Sequence, residues 1–176
     1  VPAAVPRPGP AMTINTACSS GLVALSQAAS SMRAGRCVAA IAGAASITFP
    51  NLGYRFDPAL MLSPDGCVRP LDEGAAGTVF GDAVGALLLR GVGQAMASRD
   101  HIWAIVRGTG VTNDGRRSKA GFAAPSASAQ ASAVRQAMRE ARVAPQDVSY
   151  VECHATATNV GDGIEVLGLL DAFRAA

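Results

Sequence analysis

Cys18 and His154 are the side chains of this 176-residue chain best suited to nucleophilic chemistry. Cysteine with histidine is the minimum pair for acyl transfer through a thioester. Cys18 stands in the run Thr16-Ala17-Cys18-Ser19-Ser20, and Leu22, Val23 and Leu25 behind it begin a helical apolar pattern. The sulfur therefore falls at or just before a helix N-terminus, where unpaired backbone N–H groups and the helix dipole favour thiolate over thiol. The competing reading is a small buried core cysteine. A core cysteine needs no such turn in front of it, whereas a nucleophile must be held exposed and aimed on a sharp strand-to-helix turn. His154 on its own would be a structural histidine, but the Thr-rich turn after it favours a functional one. Thr156 and Thr158 lie two apart, so in an extended segment both hydroxyls point one way, toward a polar ligand in a cleft. The alternative is a Thr-rich turn that satisfies its own backbone. Asp162 and Glu165, three apart at the start of the last apolar pattern, resemble a capping box and read as caps only.

These groups need a scaffold. Ile14 suits a strand and Asn15 with Thr16 a turn, leading into a helix from Ser20 to Arg33 that Gly35 is placed to end. Cys37 to Ala45 is a continuous run of small apolar residues, the pattern of a strand buried on both faces. Asn51 to Asp82, rich in Pro, Gly and Asp and containing the turn Ser63-Pro64-Asp65-Gly66, reads as a long structured loop. Val84 to Leu89 and Ile102 to Val106 read as an antiparallel or adjacent pair of strands, joined by a helical turn at Gln94 to Ser98. Asn113-Asp114-Gly115 is a turn, and the segment to Pro125 another loop. Ala127 to Arg142 forms an amphipathic covering helix, Val148 to Cys153 a short strand leading to His154, and Ile164, Leu167, Leu170 and Phe173 mark the final helix.

Composition narrows the classes. The chain is 49% hydrophobic and 16% charged, which is globular and large enough to bury a core. Aromatics are only 5%, so packing must rely on small side chains and close backbone approach. A net charge of +2 with scattered arginines argues against a nucleic-acid partner, and the one local cluster, Arg116-Arg117 with Lys119, reads as a solvated loop. Cys18, Cys37, Cys67 and Cys153 form no C-x-x-C pair and nothing secretory supports disulfides, so zinc is disfavoured and reduced thiols in a cytoplasm fit. No apolar run approaches the ~18 residues of a membrane helix, and no signal peptide is indicated. His101, in the strand-like context of Ile102-Trp103, matches no catalytic motif. The start at Val1 and the prolines Pro2, Pro6, Pro8 and Pro10 read as an unmatched lead over residues 1–10 of a piece cut from something larger.

Several ordered motifs carry a family resemblance. Thr16-Ala17-Cys18-Ser19-Ser20 with Leu22-Val23-Ala24-Leu25 resembles the active-site cysteine motif of β-ketoacyl synthases, especially the ketosynthase domains of modular type I polyketide synthases. The similarity continues through Leu62-Ser63-Pro64-Asp65-Gly66, Gly77-Thr78-Val79-Phe80-Gly81-Asp82 and Asn113-Asp114-Gly115. It ends with Tyr150-Val151-Glu152-Cys153-His154-Ala155-Thr156-Ala157-Thr158 and Gly161-Asp162-Gly163-Ile164-Glu165, which resemble the family's VEAHGTGT and GDPIE signatures. The resemblance implies an α/β, thiolase-like fold of αβαβα layers, with residues 11–176 spanning the end of its N-terminal half and the start of its C-terminal half. It further implies an acyltransferase in which Cys18 takes an acyl group from a thioester and its backbone N–H contributes to an oxyanion hole. A malonyl-type extender on an acyl carrier protein is then decarboxylated and its carbanion attacks. His154 would stabilise the enolate, and Thr156 and Thr158 would hydrogen-bond the phosphopantetheine arm. That arm belongs to the carrier protein, so the chain itself is expected to hold no cofactor, and a homodimer is expected for the complete parent.

Departures from the pattern bear on activity. Two family glycines are Ala155 and Ala157 here, and the proline after Gly161-Asp162 is Gly163. If those glycines need positive φ, each added methyl costs on the order of 1 kcal/mol, and Gly163 removes a residue pre-set for the first turn of the helix. The family's second histidine and the rest of its oxyanion hole are expected downstream of Ala176. The isolated chain is therefore expected to be inactive and poorly stable, with exposed sheet edges. The alternative is a non-catalytic remnant serving as a packing or docking element; a thiolase or cysteine hydrolase is disfavoured.

Overall fold

The computed structural model describes residues 9–50, 52–115 and 124–174. It divides into two compact units, one built from the chain up to Ile47 together with Asp82–Val106, the other from Thr48–Gly81 together with the chain from Arg107 onward.

The first unit holds α1 (Ser20–Arg33), β1 (Ala39–Ser46), β2 (Ala83–Arg90) and the short α2 (Val92–Ala97). β1 and β2 pair antiparallel in the register Ile41↔Leu88, Gly43↔Ala86 and Ala45↔Val84. α1 packs on β1 at close range, because both surfaces are made of small residues. A Cβ on Gly21 would stand 3.1 Å from that of Ala44, and the residues of α1 that become buried are Ser26, Ala29 and Ser31, not its larger apolar ones. Gly35, at φ +69°, ends the helix as its position predicts, donating its N–H to the Met32 carbonyl at 3.0 Å. β1 is not buried on both faces. Side chains alternate across a strand, and α1 covers only the face that carries Ala42. On the other, Ile41, Val84 and Leu88 are 74%, 74% and 69% exposed.

In the second unit, α3 (Ala127–Ala141) and α4 (Gly161–Arg174) pack together. The Ser126 hydroxyl caps α3 by accepting the Ala129 N–H at 3.3 Å, and Arg142, at φ +53°, ends it. The contact between the helices uses small residues: Ala131 and Ala172 are fully buried, and a Cβ on Gly168 would come within 3.0 Å of the Ala127 carbonyl oxygen. Residues 108–112 run along α3 so closely that a Cβ at Gly108 would be 2.3 Å from the Ala137 carbonyl oxygen. There the Glu140 carboxylate accepts the Thr109 N–H at 2.9 Å.

Residues 52–81 form the long loop that their composition predicts, crossed by one bridge between Leu62 and Thr78. Asn113-Asp114-Gly115 is a turn, with Gly115 at φ +65° donating to Asn113 Oδ1 at 2.7 Å. Three expected strands do not form. The stretch around Ile14 ahead of Cys18 is no strand and makes only an isolated bridge between Thr16 and Cys18. Neither Ile102–Val106 nor Val148–Cys153 is a strand among the described residues. The partner of β2 is β1, and without a hydrogen-bonded neighbour a β-prone sequence makes no ladder. The Arg116, Arg117 and Lys119 cluster and most of the loop to Pro125 lie outside the described residues, as do residues 1–8.

Candidate active site

In the first unit Cys18 is exposed, two residues ahead of α1. The turn that presents it is strained: Ala17 sits at φ +53°, a left-handed conformation that costs an L-residue roughly 1–2 kcal/mol. Side chains hold it there. Asn15 Oδ1 accepts the Ala17 N–H at 3.3 Å. The Ser20 hydroxyl accepts the Thr16 N–H at 2.9 Å and donates to the Ala17 carbonyl at 2.7 Å. Ser19, at the N-cap, makes no side-chain cap bond and instead donates to the Thr16 carbonyl at 2.8 Å. The polar residues flanking Cys18 therefore fix the turn, and the sulfur stays outside the packing.

In the second unit His154, Thr156 and Thr158 share one loop, with His154 exposed and both threonines half-buried. The threonine hydroxyls face each other at 3.1 Å, and Thr158 Oγ1 also accepts the Gly161 N–H at 3.2 Å. The segment is not extended, because Ala157 between them sits at φ +59°; the two hydroxyls bond each other, and that of Thr158 also serves its own backbone at the head of α4.

The acids at that head are not caps. Glu165 reaches back so that its two carboxylate oxygens accept the N–H groups of His154 at 2.7 Å and Ala155 at 2.8 Å. Asp162, buried, accepts the Ala157 N–H at 3.0 Å and, from the long loop, the Leu71 N–H at 2.7 Å. The Ala157 carbonyl accepts the Gly77 N–H at 2.8 Å. The carboxylates take N–H groups of the loop in preference to those of their own helix because Ala155 (φ +39°) and Ala157 (φ +59°) both adopt positive φ. A left-handed residue turns successive N–H groups toward one side, making a concavity that takes an anion. The two positions where the family pattern has glycine are thus the two that need glycine's conformational freedom. Sequence reasoning missed Asp162 and Glu165 as partners of this loop; the available signal was a pair of carboxylates, five residues after Ala157 and ten after Ala155, following two non-glycine residues in glycine positions.

Nearby groups respond to this acidic setting. Burial pushes the Cys153 thiol above its ordinary pKa, and the carboxylates of Glu165, Glu152 and Asp162 add to the effect. Tyr150 is raised as well, chiefly because its hydroxyl donates to Glu152. In the long loop, Asp65 is held well below the usual carboxylate range by Arg69, the Cys67 N–H and the Ser63 hydroxyl. That network fixes the predicted Ser63–Gly66 turn.

The chain belongs to the β-ketoacyl synthase family: residues 6–95 match its N-terminal domain and residues 103–176 its C-terminal domain. It is 43% identical over 167 residues to a phenolphthiocerol/phthiocerol polyketide synthase of Mycobacterium tuberculosis, covering 94% of this chain and 11% of that protein. Ketosynthase twelve of the bacillaene polyketide synthase of Bacillus amyloliquefaciens superposes with a TM-score of 0.89 at 33% identity, over 95% of this chain and 30% of that one. The oxazolomycin ketosynthase domain of Streptomyces albus does so with a TM-score of 0.86 at 35% identity, over 95% and 29%. The fold is accordingly a portion of the thiolase-like α/β architecture. The chain spans about a tenth of the curated relative and under a third of the solved ketosynthases. Among the described residues no helix is long and apolar enough to cross a membrane.

Proposed function

We propose that this chain is the central part, over residues 11–176, of a ketosynthase domain in a polyketide synthase, an acyltransferase that works only in its complete parent. Cys18 Sγ attacks the carbonyl carbon of an acyl thioester, and the carrier's thiol departs with the proton. A malonyl-type thioester on an acyl carrier protein then loses CO2. The electron pair left behind forms an enolate whose oxygen His154 stabilises, because a donor already in place lowers the cost of developing charge without reorganising water. The enolate carbon bonds to the acyl carbon and the Cys18 thiolate leaves. Thr156 and Thr158 bind the carrier's phosphopantetheine arm, so the chain needs no cofactor of its own. The reading includes a homodimer and a cytoplasmic location, the latter fitting four cysteines that all stay as free thiols.

The observation that carries the reading is the exposed thiol of Cys18 on a turn whose strain side-chain hydrogen bonds maintain. The test is intact-mass measurement of the full-length protein after exposure to an acyl thioester. One acyl adduct, absent in Cys18→Ala, is expected; no adduct on the unmodified protein refutes the reading. A second reading, a non-catalytic remnant that serves as a packing element, draws on Ala155 and Ala157 at positive φ. It predicts no adduct.

A further inference from the structure

The hydrogen bonds around His154 assign a role to a residue outside the reacting groups. We propose that Glu165 is the positioning residue for His154: its carboxylate holds the backbone on both sides of the imidazole-bearing residue and keeps the strained His154–Ala157 loop in place. Asp162 secures the other end.

The geometry is specific. Each oxygen of Glu165 takes one N–H, that of His154 and that of Ala155, so the carboxylate fixes the peptide planes on both sides of the His154 Cα. The His154 side chain is exposed, which leaves its direction to be set chiefly by its own backbone. That backbone has a reason to relax, because Ala155 and Ala157 hold conformations L-residues avoid. Local strain of this kind persists only where the surroundings over-determine it. Here three partners do so: Glu165, Asp162 and the Gly77 N–H on the Ala157 carbonyl. With glycine at 155 and 157 the loop would need less restraint, so in this chain the two alanines make His154 more dependent on the carboxylates. An amide at 165 supplies one acceptor oxygen and turns a donor toward the second N–H, and alanine supplies neither.

The inference rests on the reading of His154 as the enolate-stabilising group, and two measurements on the full-length protein separate them. The first is amide hydrogen exchange of the segment 153–158. Exchange at His154 and Ala155 is expected to rise at least tenfold in Glu165→Ala and less in Glu165→Gln, with α3 unchanged. The second is a split of the reaction. Loading of Cys18 from an acyl thioester should stay within twofold of the unmodified protein, while kcat for condensation with a malonyl thioester falls tenfold or more. Adding Ala155→Gly to either variant should restore part of that loss. Unchanged exchange at His154 and Ala155 in both variants overturns the proposal. So does a Glu165→Gln protein in which loading and condensation fall together, or one that Ala155→Gly fails to improve. If the unmodified protein never loads Cys18, the ketosynthase reading fails and takes the positioning role with it, whereas the exchange arm still shows whether the carboxylate holds the loop.

Discussion

Replacing Ala155 and Ala157 singly by glycine separates strain from packing in the His154 loop. Glycine removes the left-handed penalty, about 1–2 kcal/mol per L-residue, and adds unfolded-state freedom worth about 0.4–1 kcal/mol the other way. The sites then differ in two respects. Ala155, at φ +39°, lies well short of the left-handed minimum near φ +57° and is half-buried, so its penalty is at the high end and its methyl loses little on deletion. Ala157, at φ +59°, lies on that minimum and is 0% exposed, so deletion forfeits a whole methyl, about 0.8 kcal/mol. Ala155→Gly should therefore stabilise by about 1 kcal/mol and Ala157→Gly destabilise by about 0.5 kcal/mol. Urea unfolding midpoints of the two variants read the difference directly, and for a domain of this size 1 kcal/mol corresponds to a Tm shift of about 2–4 °C. An Ala157→Gly protein as stable as Ala155→Gly, or more so, would refute the account, because it would mean that backbone strain and not methyl burial dominates at the buried site.

Two further outcomes follow from single observations. Gly77→Ala would place a Cβ 2.6 Å from the carbonyl carbon and oxygen of Leu62 at φ +144°, so it should destabilise by about 2 kcal/mol or more and weaken the Leu62–Thr78 bridge; a urea midpoint unchanged from the unmodified protein would contradict this. Iodoacetamide at pH 8 should modify exposed Cys18 and Cys67 well before Cys153, whose raised pKa keeps it as the unreactive thiol. As pH climbs past the ordinary thiol range, Cys153 alkylation should rise later than the others, and peptide mass mapping that finds Cys153 labelled first would contradict the burial argument. The same shift has a sign for stability: the folded state keeps the Cys153 proton after the unfolded chain has lost it, so stability declines as pH rises from the unfolded thiol pKa toward the folded one.

Local pattern was legible where a segment's own residues decide its form. α1, α3 and α4 follow from apolar spacing, the turns at Gly66 and Gly115 from their Asp and Asn partners, and α1's end from Gly35. The pattern was not legible where the outcome depends on a neighbour. Ile102–Val106 and Val148–Cys153 have strand composition, but a strand exists only opposite another strand, and nothing in five residues says which one. Helix faces were partly misjudged for a related reason. In a chain this rich in alanine and glycine, the tightest contacts go to the smallest residues, so Ser26 and Ala29 are buried on α1 while Leu22 is left out.

The acids of the last helix show how a correct element can carry a wrong assignment. A spacing of Asp, then Glu three residues later, at a helix start is what a capping box requires, and helix α4 does begin there. Yet neither acid serves the helix, because the loop before it offers N–H groups that strained alanines have turned outward. The turn ahead of Cys18 follows the same rule by itself: Ala17 at positive φ is held by Asn15 and Ser20, whose sequence positions suggested a turn and a helix start. At each chemistry-bearing turn an alanine in the left-handed region is matched by polar side chains that bond its own backbone. Relaxing either turn costs those bonds as well as the geometry, so in this chain the polar residues around Cys18 and His154 act first on the backbone, and only through it on the thiol and the imidazole.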